Sequence, residues 1–214
     1  MESKSIDTKA TTKMFAVGHT ALGYIIGKAC CRATGQNQDI PLILTLSLLP
    51  DIDLIIPGLQ HRGPTHSIIL ALLIFTPLLI TKRSIVFPYL AVLISHSLIG
   101  DYLTNGGVQL LWPLSTRWIR HSGIIRMGST LENNIEILLL MISLGTIILT
   151  KDYIPLFKAN KKNILLLIPV SSIILPMIFR FPLAIPKTLF IPHLIPLIIL
   201  ALIFCIYLQR TITQ

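Results

Sequence analysis

Residues 68–104 read IILALLIFTPLLITKRSIVFPYLAVLISHSLIGDYLT, and this stretch indicates the fold of the whole chain. It holds two apolar segments, Ile68–Thr81 and Ile85–Thr104, which are joined by a tight basic turn at Lys82-Arg83. Both segments are apolar on every face, whereas a transmembrane β-strand alternates apolar residues with a polar lumen face. The stretch therefore predicts two α-helices that are surrounded by lipid rather than by water.

Three more apolar segments follow further along the chain: Ile135–Thr150, Ile164–Phe179 and Leu189–Leu208. Two weaker segments come first, Phe15–Cys31, which is rich in Gly and Ala, and Ile40–Leu49, which stops at a proline. These two suit short or re-entrant helices, which are tolerated at membrane depth when protein surrounds them. The sequence thus predicts an all-α, polytopic integral membrane helical bundle with five clear spans plus two shorter or re-entrant N-terminal helices.

The composition supports a membrane location. Of the 214 residues 53% are hydrophobic and only 13% are charged, against about 25% charged residues in a soluble domain. We therefore expect an integral protein of the cell membrane with lipids as its partners. The net charge is +9, but the basic residues stand singly or in pairs. This distribution suits lipid headgroups and gives no sign of nucleic-acid binding.

Neither an internal repeat nor a linker divides the sequence. We expect a polar N-terminal tail at residues 1–13 and a single membrane-embedded helical domain over residues 14–214. Within that domain, residues 14–131 carry most of the unusual polar residues and form the predicted metal-site half. Residues 132–214 form a hydrophobic helical half.

Ionisable residues are scarce, yet seven of them fall inside or at the rim of apolar segments: His19, Asp51, Asp53, His61, His66, His96 and Asp101. An ionisable side chain in a membrane segment costs a few kcal/mol or more unless its charge is compensated. Four imidazoles and three carboxylates match the ligands of zinc, manganese or iron, whereas magnesium and calcium prefer oxygen. The set predicts a divalent metal cofactor, zinc first, with room for one or two ions or for side chains that orient the ligands.

Single members of this set allow other interpretations. His19 could be a packed core histidine, Asp51 a helix cap, and Asp101 the partner of an arginine. His96 and Asp101 are five residues apart, which places them about 140° apart around an ideal α-helix. They share an ion only if the helix ends, bulges or unwinds around Gly100.

Two histidines are expected to lie outside the site. His121 belongs to an arginine-containing loop that is expected to be wet, and His193 stands alone between two prolines.

A bound ion of the zinc type would supply an activated water at neutral pH. Asp53 and Glu132 are candidates to carry its proton, and Arg62 is a candidate to neutralise an anionic substrate. Three arginines are weaker candidates for the same role, with headgroup contact as the alternative: Arg117, Arg120 and Arg126. This chemistry predicts a metal-dependent hydrolase that acts at one membrane face on a lipid, a phosphoester or another amphiphilic ester.

Two other functions use the same residues. A transporter for a metal ion or proton would also hold intramembrane His and Asp residues, but the candidates cluster towards one face and no pair of interrupted helices recurs in two halves. A membrane scaffold with a structural metal would bind the ion in a coordinatively closed site.

At these residues the chain resembles the membrane-bound metal-dependent hydrolases typified by the YdjM-like family. The matching pieces occur in the family's order: Gly18-His19, Leu49-Pro50-Asp51-Ile52-Asp53, His61-Arg62-Gly63-Pro64-Thr65-His66-Ser67, Ser95-His96 with Gly100-Asp101-Tyr102-Leu103-Thr104, and Gly106-Gly107-Val108-Gln109-Leu110-Leu111-Trp112-Pro113-Leu114. The resemblance implies a hydrolase in the membrane. The chain departs from the pattern in one spacing, because the family's histidine and aspartate of the fourth segment usually stand at i, i+4.

Overall fold

The computed structural model describes residues 14–104, 107–121, 129–158, 160–181 and 184–212. In these ranges the chain forms seven α-helices: α1 (Ala16–Thr34), α2 (Ile40–Leu46), α3 (Ile68–Ser95), α4 (Thr130–Leu149), α5 (Tyr153–Phe157), α6 (Leu167–Ile178) and α7 (Phe190–Ile212). Short 3-10 helices lie at Leu49–Leu54, Pro64–His66, Lys161–Leu166 and Lys187–Leu189, and a π-helix spans His96–Tyr102. The described residues form no β-strand beyond one isolated bridge, Val108 to Ile119, so the all-α prediction is confirmed.

Four helical stretches are long and apolar enough to cross a membrane: Ile68–Tyr102, Thr130–Leu149, Lys161–Ile178 and Lys187–Arg210. Their outward side chains are apolar, as at Ile80 and Leu149, which are 80% and 84% exposed. Faces of this kind suit hydrocarbon rather than water. The chain is therefore a polytopic helical membrane protein, but the predicted count of five spans is not confirmed.

The difference in span count arises at Lys82. Ile68–Tyr102 is one stretch of 35 residues, which as a straight helix would be about 50 Å long against a hydrocarbon core of about 30 Å. Lys82 has non-helical dihedral angles (φ −139°, ψ 45°). The two ends of the stretch nevertheless meet, because His66 Nε2 lies 3.2 Å from Asp101 Oδ2. The chain therefore reverses at the predicted basic turn, and its first limb, Ile68–Thr81, is only about 21 Å long.

The N-terminal helices differ from each other in their surroundings. Helix α2 has seven residues, about 10 Å, and is too short to cross a bilayer. Helix α1 lies at the centre of the bundle, where it packs against α2, α3, α4, α6 and α7. Because protein rather than lipid surrounds α1, its many small and polar residues are tolerated.

Close contact between α1 and the segment after α2 depends on Gly23. A Cβ atom at this position would overlap the Cβ atom of Ser47. Ser47 is buried, and its hydroxyl donates to the carbonyl oxygen of Leu44 at 2.7 Å. A serine Cβ cannot rotate away from a clash, so the backbone after α2 is held against α1 only while residue 23 has no side chain.

An ion pair joins α1 to the turn between α4 and α5. Asp152 Oδ2 accepts hydrogen bonds from Lys28 Nζ at 2.5 Å and from the Tyr24 hydroxyl at 2.7 Å. Burial disfavours the charged form of Asp152, but the hydrogen bonds from Lys28 and Tyr24 outweigh it, so the pKa of this carboxyl lies below its usual value. The pair therefore links the N-terminal helix to the second half of the chain.

We expect Gly23→Ala to destabilise the protein, because the added Cβ overpacks the contact with Ser47, at a cost of about 1–3 kcal/mol. The measurement is the apparent unfolding temperature in detergent. Gly145→Ala in α4 is the matched control, because a Cβ there meets nothing within 4 Å, and it should leave the unfolding temperature unchanged or raise it. A Gly23→Ala protein that unfolds at or above the wild-type temperature would contradict the packing described here.

Candidate metal centre

Four separate pieces of the chain bring the predicted ligands together. Helix α1 supplies His19, the 3-10 helix Leu49–Leu54 supplies two aspartates, the following loop supplies two histidines, and the π-helix supplies the last pair. The side chains that meet there are His19, Asp51, Asp53, His61, His66, His96 and Asp101. Five of the seven residues are buried, and Asp51 and His61 are partly exposed.

The π-helix brings the side chains of His96 and Asp101 together despite their i, i+5 spacing. Hydrogen bonds from i to i+5 bring residues five apart onto one side of such a helix, which an α-helix does not do. His96 Nε2 accordingly lies 3.3 Å from Asp101 Oδ2. The bulge that the i, i+5 spacing requires is therefore present, and it includes Gly100.

Four candidate ligand atoms converge around the Nε2 atoms of His66 and His96. His66 Nε2 lies 3.2 Å from His96 Nε2, 3.5 Å from Asp51 Oδ1 and 3.2 Å from Asp101 Oδ2. His96 Nε2 lies 3.6 Å from the same Asp51 oxygen and 3.3 Å from the same Asp101 oxygen. Ligand atoms that hold a tetrahedral Zn²⁺ at ordinary bond lengths stand about 3.3–3.6 Å apart. The spacing of these atoms therefore fits a small divalent cation.

The orientation of the imidazoles leaves Nε2 available. His96 Nδ1 lies 2.6 Å from the carbonyl oxygen of Ser47, which can only accept, so Nδ1 donates to it and Nε2 is the ring nitrogen that faces the other side chains of the cluster. Asp53 plays the corresponding part for the two loop histidines: its Oδ1 lies 2.9 Å from His61 Nδ1, and its Oδ2 lies 3.2 Å from His66 Nδ1. Carboxylates and carbonyls in this position fix the tautomer of metal-binding histidines.

Asp53 is further held by its own loop. Its Oδ2 accepts the Thr65 hydroxyl at 2.8 Å and the backbone N–H of Arg62 at 3.1 Å. Burial favours the neutral acid, but hydrogen bonds with His61 and His66 outweigh it, so the pKa of Asp53 lies below its usual range. With both oxygens engaged, Asp53 lies behind the imidazoles rather than among the converging ligand atoms.

Arg62 has an unusual backbone and a paired charge. Its φ is +64°, a left-handed conformation that residues other than glycine seldom adopt and that recurs at functional sites. Its guanidinium is buried and lies 2.8 Å from Asp101 Oδ1. The other oxygen of Asp101 faces the two Nε2 atoms, so Arg62 orients this carboxylate.

His19 reaches the centre through a gap left by Gly100. The His19 ring stacks on the His96 ring with centroids 3.8 Å apart and planes 15° apart. A Cβ at residue 100 would overlap the His19 ring. Two groups of three could each hold an ion, His19 with His96 and Asp101, and Asp51 with His61 and His66. The arrangement therefore accommodates either one ion among the four converging atoms or two ions side by side.

The cluster attracts positive charge. Burial lowers the pKa of the His66 imidazole, but hydrogen bonds with Asp101, Asp51 and Asp53 raise it by more, so it lies well above its usual value. For Asp51, burial raises the pKa, but His96 and His66 lower it further, to well below its usual value. The carboxylates thus retain their charge, and a divalent cation would compensate it.

The remaining predicted residues lie elsewhere. Glu132 is buried in the first turn of α4, where its N–H is capped by the Ser129 hydroxyl at 3.3 Å, and its role as an acid stays a prediction. His121 is exposed and packs edge-on against Tyr102. His193 is buried, and its Nδ1 donates to the carbonyl oxygen of Leu189 at 2.8 Å. Arg117 and Arg120 are exposed, and Arg126 lies outside the described residues.

Two groups in this region were not predicted from the sequence. Glu136 is fully buried in α4, and its Oε1 accepts the N–H of Phe15 at 2.8 Å, which caps the start of α1 one turn before His19. An acid inside an apolar segment is itself a signal of a special role, so Glu136 could have been found. The Ser47 carbonyl could not, because a backbone oxygen leaves no mark in the sequence.

A comparison with protein families matches residues 14–212 to the family described as YdjM inner membrane protein. The match covers nearly the whole chain, so the chain belongs to this family and is an integral protein of the inner membrane. No curated protein and no solved structure matches the chain.

We expect His66→Ala to remove bound metal, because His66 Nε2 lies within 3.5 Å of each of the other three converging atoms. The measurement is the metal content of protein purified in detergent, by mass spectrometry of the element. His121→Ala is the matched control, since that ring is exposed and packs on Tyr102, and it should keep the wild-type content. Wild-type protein without metal after purification in metal-containing buffer would contradict the prediction.

Replacing the two neighbouring aspartates should separate their roles. Asp53→Asn keeps the shape but weakens the orientation of two imidazoles, so we expect metal affinity to fall about 10–100-fold while saturating metal still fills the site. Asp51→Asn replaces a converging carboxylate by a neutral amide, whose oxygen is a much weaker ligand, and should prevent stoichiometric binding. Zn²⁺ titration by calorimetry measures both variants. Equal losses in the two would mean that Asp53 does not lie behind the ligands.

Proposed function

We propose that this member of the YdjM inner membrane protein family is a metal-dependent hydrolase that cleaves an amphiphilic ester or phosphoester at one membrane face. The observation that supports it is that the side chains form two adjacent groups of three candidate ligands, His19–His96–Asp101 and Asp51–His61–His66, each of which could hold an ion and leave one position open. Each group contributes two imidazole nitrogens and one carboxylate oxygen, and ligands of this kind favour zinc over magnesium or calcium, with manganese and iron as alternatives.

Such an ion, when bound, acts as a Lewis acid and lowers the pKa of a coordinated water to about 7. The residues of the chain hold and shield it. Asp53 fixes the tautomers of two imidazoles, and the Ser47 carbonyl fixes that of His96. The side chain of Asp51 is 18% exposed while those of His66 and His96 are fully buried, so a substrate approaches from the side of Asp51.

The three predicted catalytic residues take different parts in this proposal. Asp53 is a positioning residue, because both its oxygens are engaged by its own loop and by imidazoles. Arg62 orients Asp101 and offsets part of the negative charge of the cluster. Glu132 is retained as a candidate proton carrier, and a kinetic effect of Glu132→Gln on the pH profile at unchanged metal content would support that role.

One observation favours a second candidate function. A tetrahedron completed by four protein ligands is typical of a structural zinc site, whereas a catalytic zinc keeps one position for water or substrate. If one ion occupies the four converging atoms, the protein is a scaffold with a structural metal. If two ions occupy the groups His19–His96–Asp101 and Asp51–His61–His66, each has three protein ligands and an open position remains. Enzyme function therefore favours the arrangement with two ions.

The function is tested with Zn²⁺-loaded protein in lipid nanodiscs and a panel of phospholipids, alkyl phosphates and carboxylic esters. We expect hydrolysis of at least one substrate, abolition by a chelator, recovery on adding Zn²⁺ back, and a loss of at least about 100-fold in Asp51→Asn. The exposed-site variant His121→Ala should retain wild-type activity.

Three results would overturn or replace the proposal. A full complement of metal that resists chelation, with no hydrolysis of any substrate, would indicate a structural site. Metal flux into proteoliposomes that depends on His66, without hydrolysis, would indicate the transport function considered from the sequence. Hydrolysis that survives both chelation and Asp51→Asn would not depend on the metal centre and would overturn the proposal.

A further inference from the structure

A largely apolar cavity lies directly against the candidate metal centre. It lies between the start of α1, the segment from Leu48 to Ile55, and helix α6. The polar side chains in its described wall are Asp51, Ser171 and Ser172. Apolar walls that bury a ligand and a few polar groups that orient it are typical of small-molecule sites.

Helix α6 presents one continuous face to this cavity. The lining residues Ile168, Ser171, Ser172 and Leu175 follow the i, i+3, i+4, i+7 spacing of a single helical face. Two of the four are serines, which occupy little volume. The small side chains leave an open space along α6 where larger residues would close it.

The cavity extends from exposed apolar residues to the candidate metal centre. At the mouth, Ile55 is 62% exposed and Phe181 is 44% exposed, so its rim is apolar in a protein that lipid surrounds. At the inner end, Asp51 lines the wall while its Oδ1 lies 3.5 Å from His66 Nε2. An apolar chain can therefore enter from the bilayer, and only a group at the end of that chain meets the ligands.

We propose that this cavity binds the hydrocarbon chain of a single-chain or lipid amphiphile whose anionic headgroup lies at the metal centre beside Asp51. The chain is the occupant because the wall is apolar and its exposed rim residues are apolar, so that burial of methylene groups in the cavity is favourable. The anionic headgroup follows from charge, because a divalent cation at the inner end attracts it, while the Asp51 carboxylate alone repels it. This inference rests on the proposed function, because it requires a cation beside Asp51.

The charge argument predicts how binding responds to metal. With the cation in place, a long-chain alkyl phosphate gains both the apolar contact and the attraction at its headgroup. After chelation the headgroup faces the carboxylates of Asp51 and its neighbours, and binding in this orientation is lost. An ordinary boundary lipid that merely fills a groove would not depend on the metal in this way.

The test uses a long-chain alkyl phosphate that carries a photoreactive diazirine near the end of its chain, with a short-chain counterpart, on Zn²⁺-loaded full-length protein in nanodiscs. We expect the long-chain probe to label residues of α6 and the cavity mouth, as located by peptide mass spectrometry. Chelation and Ser172→Trp, which fills the cavity, should each reduce this labelling at least tenfold, whereas the short-chain probe should label weakly throughout.

Ile178→Trp is the matched control, because Ile178 lies on the same helix but is 67% exposed and lies outside the cavity wall. It should leave the labelling unchanged. Metal content measured on each variant verifies that the metal centre is intact. If Ser172→Trp does not fold, Ser171→Phe replaces it in the test. Ser171 lines the same cavity but is more exposed, so a larger side chain there narrows the cavity with less disturbance of the packing.

The outcomes separate this inference from the proposed function. Labelling of α6 that persists after chelation or in the cavity-filling variant overturns the chain site. Hydrolysis of long-chain substrates without labelling of the cavity also overturns it and leaves the hydrolase proposal standing. Metal-dependent labelling without hydrolysis of any substrate supports the chain site and overturns the hydrolase proposal.

Discussion

The compensation of buried charge is the constraint on which this structure depends. Asp53 and Asp101 are almost completely buried in a protein of apolar helices, where an unpaired carboxylate costs several kcal/mol. Asp101 is stabilised by Arg62 and two imidazoles, and Asp53 by the loop that contains Arg62. Arg62 and His66, two of the partners of Asp101, come from a distant part of the sequence. The positive φ of Arg62, the π-helix and the reversal at Lys82 all serve to bring the charges within contact.

Hydropathy and residue type predicted much of this structure, because both are local properties. The long apolar runs predicted membrane helices, Lys82-Arg83 predicted the reversal, and scarce intramembrane His and Asp residues predicted a cluster that the structure does assemble. The number of membrane spans was harder to predict, because the first limb of α3 is shorter than a bilayer and α1 is weakly hydrophobic. Helix α1 can be weakly hydrophobic because the other helices surround it. Burial of this kind depends on the tertiary structure and cannot be read from the local sequence.

The details of the candidate site were harder to predict, and for different reasons. The spacing of His96 and Asp101 indicated that the helix must bulge near Gly100 if both residues are to share an ion. It did not show that the bulge forms, because a π-helix depends on a shift of backbone hydrogen bonds. The position of Asp53 behind the ligands depends on the fold of the Arg62–Thr65 loop. The Ser47 carbonyl carries no signal in side-chain chemistry, whereas Glu136 did carry one inside its apolar segment.

The reversal at Lys82 has a consequence for the order of assembly. His19, Asp51 and His66 are synthesised before the helical hairpin, and His96 and Asp101 are synthesised at its far end. The converging set is therefore incomplete until both limbs of the hairpin have been inserted and folded back onto α1. A nascent chain that stops short of Asp101 can offer an ion only a partial set of ligands. An ion held by this set would therefore be acquired late in biogenesis, after the hairpin has been inserted and folded back onto α1.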